Sequence, residues 1–513
     1  MPLDKLDLQR LRDRIRDRWQ IVDWDKLFPW WRLPADVRIL IYADGSARFN
    51  GGPFMGIQYV YTLLTSRAYA YVRFHVDFVH RDGSDPTATI AGAKKLGDLD
   101  IMNKYDQIWF FGTSSAPRLD PAEVTLLTTF MAAPKSGGVL MTGDHASLGA
   151  GIGQQVPRAG LMRQLPAPDA VFPIWNTTLE EGPDTNTTFD FDDQSDDKPQ
   201  TIRYRKYGIG SGFVLERRYR PHPLLCGPDG PINILPDHQH EGEAVAPVVA
   251  PGDPVWPTKT GHQEKPEVIA WGRIKDPAAD KAGQEIGVIS AYDGHNVDVG
   301  RIAADSTWHH WFDINLTGLP TAPYDGFDAT PAGQAALKKI DAYFLNVGVW
   351  LSPPARQIEM RNAGWWAILW TDHIFELSPK LPLWYLGEQA IDALGRMASR
   401  CTLHEWIFLD KIFKEKIPRW EWPQLFGRLP YVHLPLERYV AGGILKSLSA
   451  AAGSFNAKAE FPNKPASDEV INRAIEQGTQ DGMAAMGKDL AAQLQLASRW
   501  IDAGFRAEKL RGD

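Results

Sequence analysis

The pattern of apolar and polar residues divides the chain into two parts of different character. In the first part, apolar runs rich in β-branched and aromatic residues occur near 37–44, 71–80, 105–113 and 137–143, with helical stretches between them. Continuous apolar strands that alternate with helices are typical of a parallel sheet that is covered on both faces. We therefore expect an α/β fold, a three-layer sandwich around one mainly parallel sheet.

The same pattern predicts how the rest of the chain is organised. Residues 1–35 combine an amphipathic helix with an aromatic segment, which indicates an N-terminal arm. The α/β domain covers residues 36–325 and carries a long insertion at about 151–265, where periodicity fades and Pro, Gly, Asp and Thr accumulate. Late runs at 267–274, 285–295 and 300–316 alternate in a way that predicts partly antiparallel strands.

Residues 326–513 read as an all-helical C-terminal domain. Helical periodicity is clear in three segments and in a final long amphipathic stretch that starts at Ser467, a plausible N-cap. The three segments are 333–351, 355–377 and 383–400. The aromatic richness of this region favours a buried core or an interface. We therefore expect it to pack against the sandwich, against a second copy in a homo-oligomer, or against a partner protein.

Composition and charge exclude several classes of protein. The chain has 55 Lys and Arg residues against 63 Asp and Glu residues, a formal net charge of -8, and no dense basic run, which argues against nucleic acid as a partner. Its first residues are charged throughout and no window reaches the length of a membrane span, so we expect a cytoplasmic protein without a membrane partner. The two cysteines, Cys226 and Cys401, support neither a disulfide framework nor a zinc ribbon.

Three separated motifs share one order with a known family. They are Gly143-Asp144-His145 after the fourth predicted strand, His222-Pro223-Leu224 in the insertion, and Gly300-Arg301-Ile302 leading to His309. Together they resemble the trehalose-utilisation (ThuA-like) branch of the class I glutamine-amidotransferase-like superfamily, over roughly residues 36–316. The resemblance implies a flavodoxin- or amidotransferase-like sandwich. Amidotransferases of this fold carry a cysteine where His145 stands, so thiol-dependent glutamine hydrolysis is not expected.

Polar residues follow several of the predicted strands at their carboxyl ends. Because ligands of parallel sheets bind beyond those ends, we expect these residues to share one site. A carboxyl group beside an imidazole orients the ring and raises its basicity, which suits a general base or a metal ligand. The expected catalytic residues are His145, Asp144 and His309, and the expected ligand-binding residues are Asp44, Thr113, Asp305 and His310.

Two chemistries and a structural alternative stay open for these residues. A histidine could activate water directly, or histidines and aspartates could hold a divalent metal that does so. His238 and His240 are candidate metal ligands, because His-x-His on a strand places both rings on one face, although a solvated loop explains that segment equally well. Polar groups at strand ends also cap backbone atoms, and His309 and His310 can serve aromatic packing instead.

The sequence therefore predicts a hydrolase-like or small-molecule-binding enzyme without a thiol nucleophile. Its ligand or substrate and any cofactor cannot be named from these residues. The alternative is a catalytically silent assembly or sensor module that acts through the helical domain.

Overall fold

The structure is a computed structural model, and it describes most of the chain. The described residues are 4–22, 32–51, 56–114, 118–143, 151–164, 200–211, 217–236, 242–273, 283–317, 327, 331–371, 374–377, 380–408, 436–455 and 466–509. The chain forms two compact units. The first comprises Met1–Val22, Pro34–Tyr207 and Arg220–Gln357, and the second comprises Asp23–Leu33, Gly208–Tyr219 and Ile358–Asp513.

An eight-stranded sheet lies at the centre of the first unit. Its strands in chain order are β1 (Ala35–Ala43), β2 (Val72–His80), β3 (Gln107–Phe111), β4 (Gly138–Met141), β5 (Arg203–Tyr204), β6 (Glu267–Arg273), β7 (Glu285–Tyr292) and β8 (Ile302–Asp305). The four apolar runs of the first part of the sequence are β1 to β4, as predicted. β3 and β4 are buried throughout and must be covered on both sides, whereas β2, at the edge of the sheet, alternates between buried and partly exposed residues over most of its length.

The strand order across the sheet is β2-β1-β3-β4-β8-β7-β6-β5. The five strands from β2 to β8 in this order are parallel to one another, and the three remaining pairings are antiparallel. The predicted antiparallel character of the late strands is therefore confirmed. In the parallel part, the chain passes from β1 to β2 on one side and then returns to β3 on the other. This reversal creates a topological switch point between β1 and β3.

Helical segments pack against both faces of the sheet. One face presents a core cluster that includes Tyr42, Phe110 and Met141, and this cluster also contains Leu127 and Phe130 of helix α3 (Pro121–Met131). The opposite face presents Trp109, whose ring meets Trp311 at 5.5 Å. We call these the α3 face and the Trp109 face. The α/β character is thus confirmed, as a mixed and mostly parallel sheet with helices.

The remaining helices of the first unit are fixed by buried polar contacts. The longer ones are α1 (Lys5–Trp19), α2 (Gln58–Thr65) and α4 (Pro331–Trp350), and single-turn helices lie at Ile101–Lys104 and Ile314–Thr317. The Asp341 carboxyl group on α4 accepts hydrogen bonds from Arg18 and Trp19 of α1 and from Tyr59 of α2, at 2.6 to 2.9 Å. Asp341 therefore ties the N-terminal helix to the Trp109 face, and α4 belongs to the unit that contains the sheet.

Part of the predicted insertion is built from two-residue strands in antiparallel pairs. The pairs are Arg163–Gln164 with Glu243–Ala244, Gln200–Thr201 with Ile234–Leu235, Cys226–Gly227 with Gly230–Pro231, and Thr258–Lys259 with His262–Gln263. Such short ladders give little periodic signal, which explains why the sequence pattern fades here.

The C-terminal region is helical, as predicted. Its longer helices are α5 (Pro354–Leu369), α6 (Leu383–Met397), α7 (Arg400–Phe408), α8 (Leu436–Phe455) and α9 (Asp468–Lys509), and a single-turn helix lies at Ile374–Leu377. Ser467 directly precedes α9, and Ile471 and Ile475 on the predicted apolar face are buried. Helices α8 and α9 approach closely at glycines: a Cβ atom on Gly443 would lie 2.0 Å from the carbonyl oxygen of Gly478. Among the helices of the described residues, none is long and apolar enough to cross a membrane.

Candidate functional site

Asp44 and Thr113 lie together at the switch point between β1 and β3. Asp44 directly follows β1 and Thr113 comes two residues after the end of β3, so both stand at the carboxyl edge of the parallel strands. The Asp44 Oδ1 atom accepts hydrogen bonds from the backbone N–H groups of Thr113 at 2.9 Å and Ser114 at 3.2 Å. The structure thus brings together two of the residues that the sequence placed in one site.

The second oxygen of the same carboxyl group has a different environment. Asp44 is fully buried, yet none of the described residues provides a hydrogen-bond partner for its Oδ2 atom. A Cβ atom on Gly112 would lie 3.3 Å from Asp44 Oδ1 and 2.8 Å from the side chain of Ile152, a member of the α3-face cluster. The absence of a side chain at Gly112 leaves room for the carboxyl group on this face. One acceptor oxygen is fixed, and the other is available.

The loop that follows Asp44 is held by hydrogen bonds to the ends of both neighbouring strands, β3 and β2. The Ser46 backbone N–H donates to Thr113 Oγ1 at 2.7 Å. The Arg48 Nη1 atom lies 2.7 Å from the Gly45 carbonyl oxygen and 2.8 Å from His80 Nε2. Gly45 has a φ of +65°, a left-handed conformation that glycine adopts at low cost. The loop therefore makes a defined turn and does not behave as a free hinge.

His80 is a site candidate that the sequence analysis missed. It is the last residue of β2 and is fully buried. Burial and the neighbouring Arg48 guanidinium lower the pKa of His80, although a hydrogen bond to the Gly45 carbonyl opposes this. The Nε2 atom of His80 lies 2.8 Å from Arg48 Nη1 and 3.2 Å from the Gly45 carbonyl oxygen, and Nδ1 accepts the backbone N–H of Asp82 at 3.3 Å. The signal that selected Asp44, a polar residue at the carboxyl end of a strand, also applies to His80.

A buried arginine lies at the carboxyl end of β4. The Arg163 guanidinium packs directly on Gly143, because a Cβ atom on this glycine would lie 2.5 Å from Arg163 Cζ. Arg163 Nε also donates to the carbonyl oxygen of Ser306, after β8, at 3.3 Å. Gly143 comes two residues after Met141, and alternate residues of an extended chain lie on the same face of a sheet, so Gly143 lies on the α3 face. Arg163, which packs on Gly143, therefore lies on the same face of the sheet as Asp44 and at the same carboxyl edge. Strands β1 and β4 are two spacings, about 10 Å, apart.

Asp144 and His145 directly follow Gly143 and lie outside the described residues. The same holds for the two candidate metal ligands His238 and His240. Their predicted roles stay predictions. In the part of the chain that the structure describes, no three His, Cys, Asp or Glu side chains converge in a way that could hold a metal ion.

Asp305 and His310 form a buried pair on the other face of the sheet. The Asp305 Oδ1 atom lies 2.7 Å from His310 Nδ1, and Oδ2 accepts from the Trp311 indole at 3.0 Å and the Tyr343 hydroxyl at 2.9 Å. Burial, together with Asp305, raises the pKa of Tyr343 well above its ordinary value. Trp311 belongs to the Trp109 face, so the structure does not bring Asp305 together with Asp44.

His309 is held by its neighbours in the same turn. Its ring stacks on Trp308 with the centroids 4.2 Å apart. Its backbone N–H donates to Thr307 Oγ1 at 3.0 Å, and its carbonyl oxygen accepts from Asn315 at 2.7 Å. His309 is buried, and these contacts give it the environment of a packed aromatic residue.

The two other motifs of the family resemblance lie at the opposite, amino edge. Arg301 directly precedes β8 and donates to Asp293 at 2.7 Å and to the Trp350 carbonyl oxygen at 3.0 Å. His222 accepts the backbone N–H of Leu224 at 3.2 Å, and its ring packs against Trp350 with the centroids 4.9 Å apart. Both residues therefore stabilise the amino edge, away from Asp44.

No protein-family model, no curated protein and no solved structure matches this chain. The functional argument therefore rests on the geometry of the carboxyl edge.

Proposed function

We propose that the protein is a small-molecule-binding enzyme of the hydrolase type whose ligand enters the crevice between β1 and β3 and meets Asp44. The observation that carries the proposal is the unequal environment of the two Asp44 oxygens. Oδ1 is fixed by two backbone N–H groups, whereas Oδ2 is buried and has no partner in the part of the chain that the structure describes. The ligand supplies the missing partner.

The energetic argument favours a ligand at this position. A buried polar atom without a hydrogen bond costs about 1–3 kcal/mol, and most such atoms in proteins are paired. Asp44 occupies the switch point of the parallel strands, where open α/β sheets generally bind their ligands. A destabilising group at the usual ligand position is typical of a functional residue.

The chemistry of Asp44 defines the class of ligand. The free oxygen is an acceptor, so the group that meets it carries an O–H or N–H donor, as hydroxyl-rich and amine-bearing molecules do. The same oxygen can accept a proton from a water molecule as a general base. We propose that His145, one strand beyond β3, acts at the same edge. A sugar-like ligand is also what the ThuA-like resemblance would imply.

A divalent metal is the second candidate partner for the free oxygen. Oxygen ligands suit such ions, but Asp44 alone is one ligand of the several required. Asp144 and His145 would have to complete the set. This version of the proposal predicts bound metal in the purified protein.

The test compares Asp44→Ala with Asp36→Asn as the matched control, since Asp36 lies at the opposite end of the same strand with a half-exposed side chain. Thermal shifts would be measured with a panel of sugars, polyols and amines. Turnover would be measured on ester, phosphoester and glycoside substrates, and metal content by mass spectrometry. We expect binding or turnover in the native protein and the control, and its loss in Asp44→Ala. Ligand binding that survives in Asp44→Ala would refute the proposal.

A further inference from the structure

The C-terminal end of α9 extends beyond the helices that pack against its first half. A Cβ atom on Gly482 would lie 2.4 Å from the carbonyl oxygen of Tyr439 on α8, and the Tyr439 hydroxyl donates to Asp489. Every residue from 491 to 503 is exposed, although the helix continues.

The exposed end of α9 carries a stripe of apolar residues. Leu490, Leu494, Ala497 and Ile501 follow one another at intervals of four, three and four, which is the spacing of a coiled-coil seam. Leu494 is 55% exposed and Ile501 is 58% exposed. A seam of this kind is stable in water when a second helix covers it.

A cavity adjoins the start of this stripe. It has a volume of about 450 Å³ and is lined by Trp384 of α6, Arg438 and Tyr439 of α8, and Asp489, Ala492 and Gln493 of α9. Trp384 is 41% exposed and forms an aromatic wall. The lining thus combines an aromatic ring with an acceptor carboxyl group at Asp489. An indole, which is apolar with one N–H donor, fits this combination.

We propose that a second copy of this chain covers both features, with the two α9 ends packed antiparallel around a two-fold axis. In this register Leu490 of each copy lies opposite Ile501 of the other, and Leu494 lies opposite Ala497. The axis passes close to Gln495. Each contact occurs twice, as a two-fold interface requires.

The register also places Trp500 at the cavity. Trp500 is 72% exposed and flanks the seam. In an antiparallel pair it lies opposite Gln493 of the second copy, at the mouth of the cavity beside Trp384. A parallel pair would instead set Ala497 against Ala497, which leaves a gap, and would leave the cavity empty.

The charge pattern fits a second copy as well. The seam residues carry no charge, and neither do the residues that flank the seam in this register: Ala491, Gln493, Ser498 and Trp500. Lys488, Asp489, Arg499 and Asp502 fall on the outer positions. Two copies therefore meet without like charges between them.

Sedimentation of the full chain across the micromolar range tests the interface. We expect a reversible dimer in the native protein and a monomer in the double variant Leu494→Glu, Ile501→Glu. Trp500→Ala should weaken the dimer by roughly tenfold in Kd, because it empties the cavity. Arg499→Ala, on the outer face of the same helix, is the control and should leave Kd unchanged. Circular dichroism checks that every variant keeps its helices.

Disulfide trapping tests the direction of the pair. A mixture of Leu494→Cys and Ala497→Cys chains should cross-link far more than either chain alone, since the natural cysteines are buried. Cross-linking of Leu494→Cys with itself would indicate a parallel pair and overturn the register. The proposal is overturned if the native protein is a monomer, and binding of the helix to phosphatidylcholine vesicles would not rescue it. It is also overturned if the double variant Leu494→Glu, Ile501→Glu remains a dimer.

Discussion

Thr113 and Asp44 are joined twice across the crevice between β1 and β3. The Thr113 backbone N–H donates to Asp44 Oδ1 at 2.9 Å, and the Thr113 hydroxyl lies 3.4 Å from the Asp44 carbonyl oxygen. The same hydroxyl accepts the Ser46 backbone N–H at 2.7 Å. The loops after the two strands therefore hold the carboxyl group in one orientation, with Oδ1 turned toward the backbone N–H groups of Thr113 and Ser114.

Replacement of Thr113 by Val should loosen this arrangement. The substitution keeps the shape of the side chain but removes the acceptor of the Ser46 N–H, so we expect a loss of about 1–2 kcal/mol in the free energy of unfolding. Amide hydrogen exchange at Ser46 should become faster. Thr128→Val is the control, because the Thr128 hydroxyl donates to the Val124 carbonyl oxygen of its own helix at the surface. Unchanged exchange at Ser46 would contradict the anchoring role of Thr113.

Asp305 and Asp44 should respond differently to truncation. Asp305→Ala removes the acceptor of Trp311, Tyr343 and His310 at once and should cost about 3 kcal/mol or more. Asp44→Ala loses two backbone hydrogen bonds but also removes the unpaired oxygen, so it should cost about 1 kcal/mol or less. Chemical denaturation of both variants gives the order directly. If Asp305→Ala lowered the free energy of unfolding less than Asp44→Ala does, the pair between Asp305 and His310 would have a functional role and not a stabilising one.

Gly138 and Gly143 lie at the two ends of β4 and test two kinds of close approach. A Cβ atom on Gly138 would lie 2.1 Å from the backbone carbonyl oxygen of Leu351, which cannot move alone. At Gly143 the neighbour is the Arg163 guanidinium, the far end of a flexible side chain. We expect Gly138→Ala to cost about 3 kcal/mol and Gly143→Ala about 1 kcal/mol. Thermal unfolding measures both, and equal costs would show that Arg163 is fixed as firmly as backbone.

The sequence was sufficient to predict β1 to β4, because their apolar runs are bounded by turns. These are local signals. The carboxyl-edge rule likewise placed Asp44 and Thr113 side by side.

The division of the polar residues between two faces could not be predicted. Side chains alternate along a strand, so the face of Asp305 depends on where β8 begins and on which strand it joins. β8 pairs with β4, although the 160 residues from 142 to 301, which include the insertion, separate the two strands in the sequence. Arg163 could not be predicted either, because it lies in a two-residue strand, which is too short to show periodicity.

The ion pair between Arg81 and Glu123 should contribute strongly to stability. Glu123 is buried and the Arg81 side chain is 9% exposed, and the guanidinium meets the two carboxyl oxygens at 2.6 and 2.7 Å. Glu123→Gln should lower the free energy of unfolding by about 3 kcal/mol, because it leaves Arg81 without its charge partner. The exposed pair between Arg203 and Glu285 is the control, and Glu285→Gln should change stability by less than about 1 kcal/mol.

The same pair defines a pH dependence. Burial acts to raise the pKa of Glu123, but hydrogen bonds from Arg81 and from the backbone of Leu96 and Asp120 outweigh it and lower the pKa. A lowered carboxyl pKa stabilises the fold at any pH above the ordinary value and loses that effect as the pH falls through the lowered pKa. Denaturation of the native protein and of Glu123→Gln should therefore converge in acid. A difference that persists in strong acid would contradict this.

Asp313 should give the opposite pH dependence. It caps α2 from 255 residues away in sequence, accepting the backbone N–H groups of Gln58 at 3.1 Å and Tyr59 at 2.8 Å. Burial raises its pKa from 3.8 to about 7, although these two hydrogen bonds act against the shift. Because the folded pKa is raised, the stabilising effect is complete below the ordinary pKa and is lost as the pH rises to about 7, by up to about 4 kcal/mol. Asp313→Asn cannot titrate, so its stability relative to the native protein should increase over this pH range. A constant difference between the two proteins from acid to neutral pH would show that Asp313 keeps an ordinary pKa.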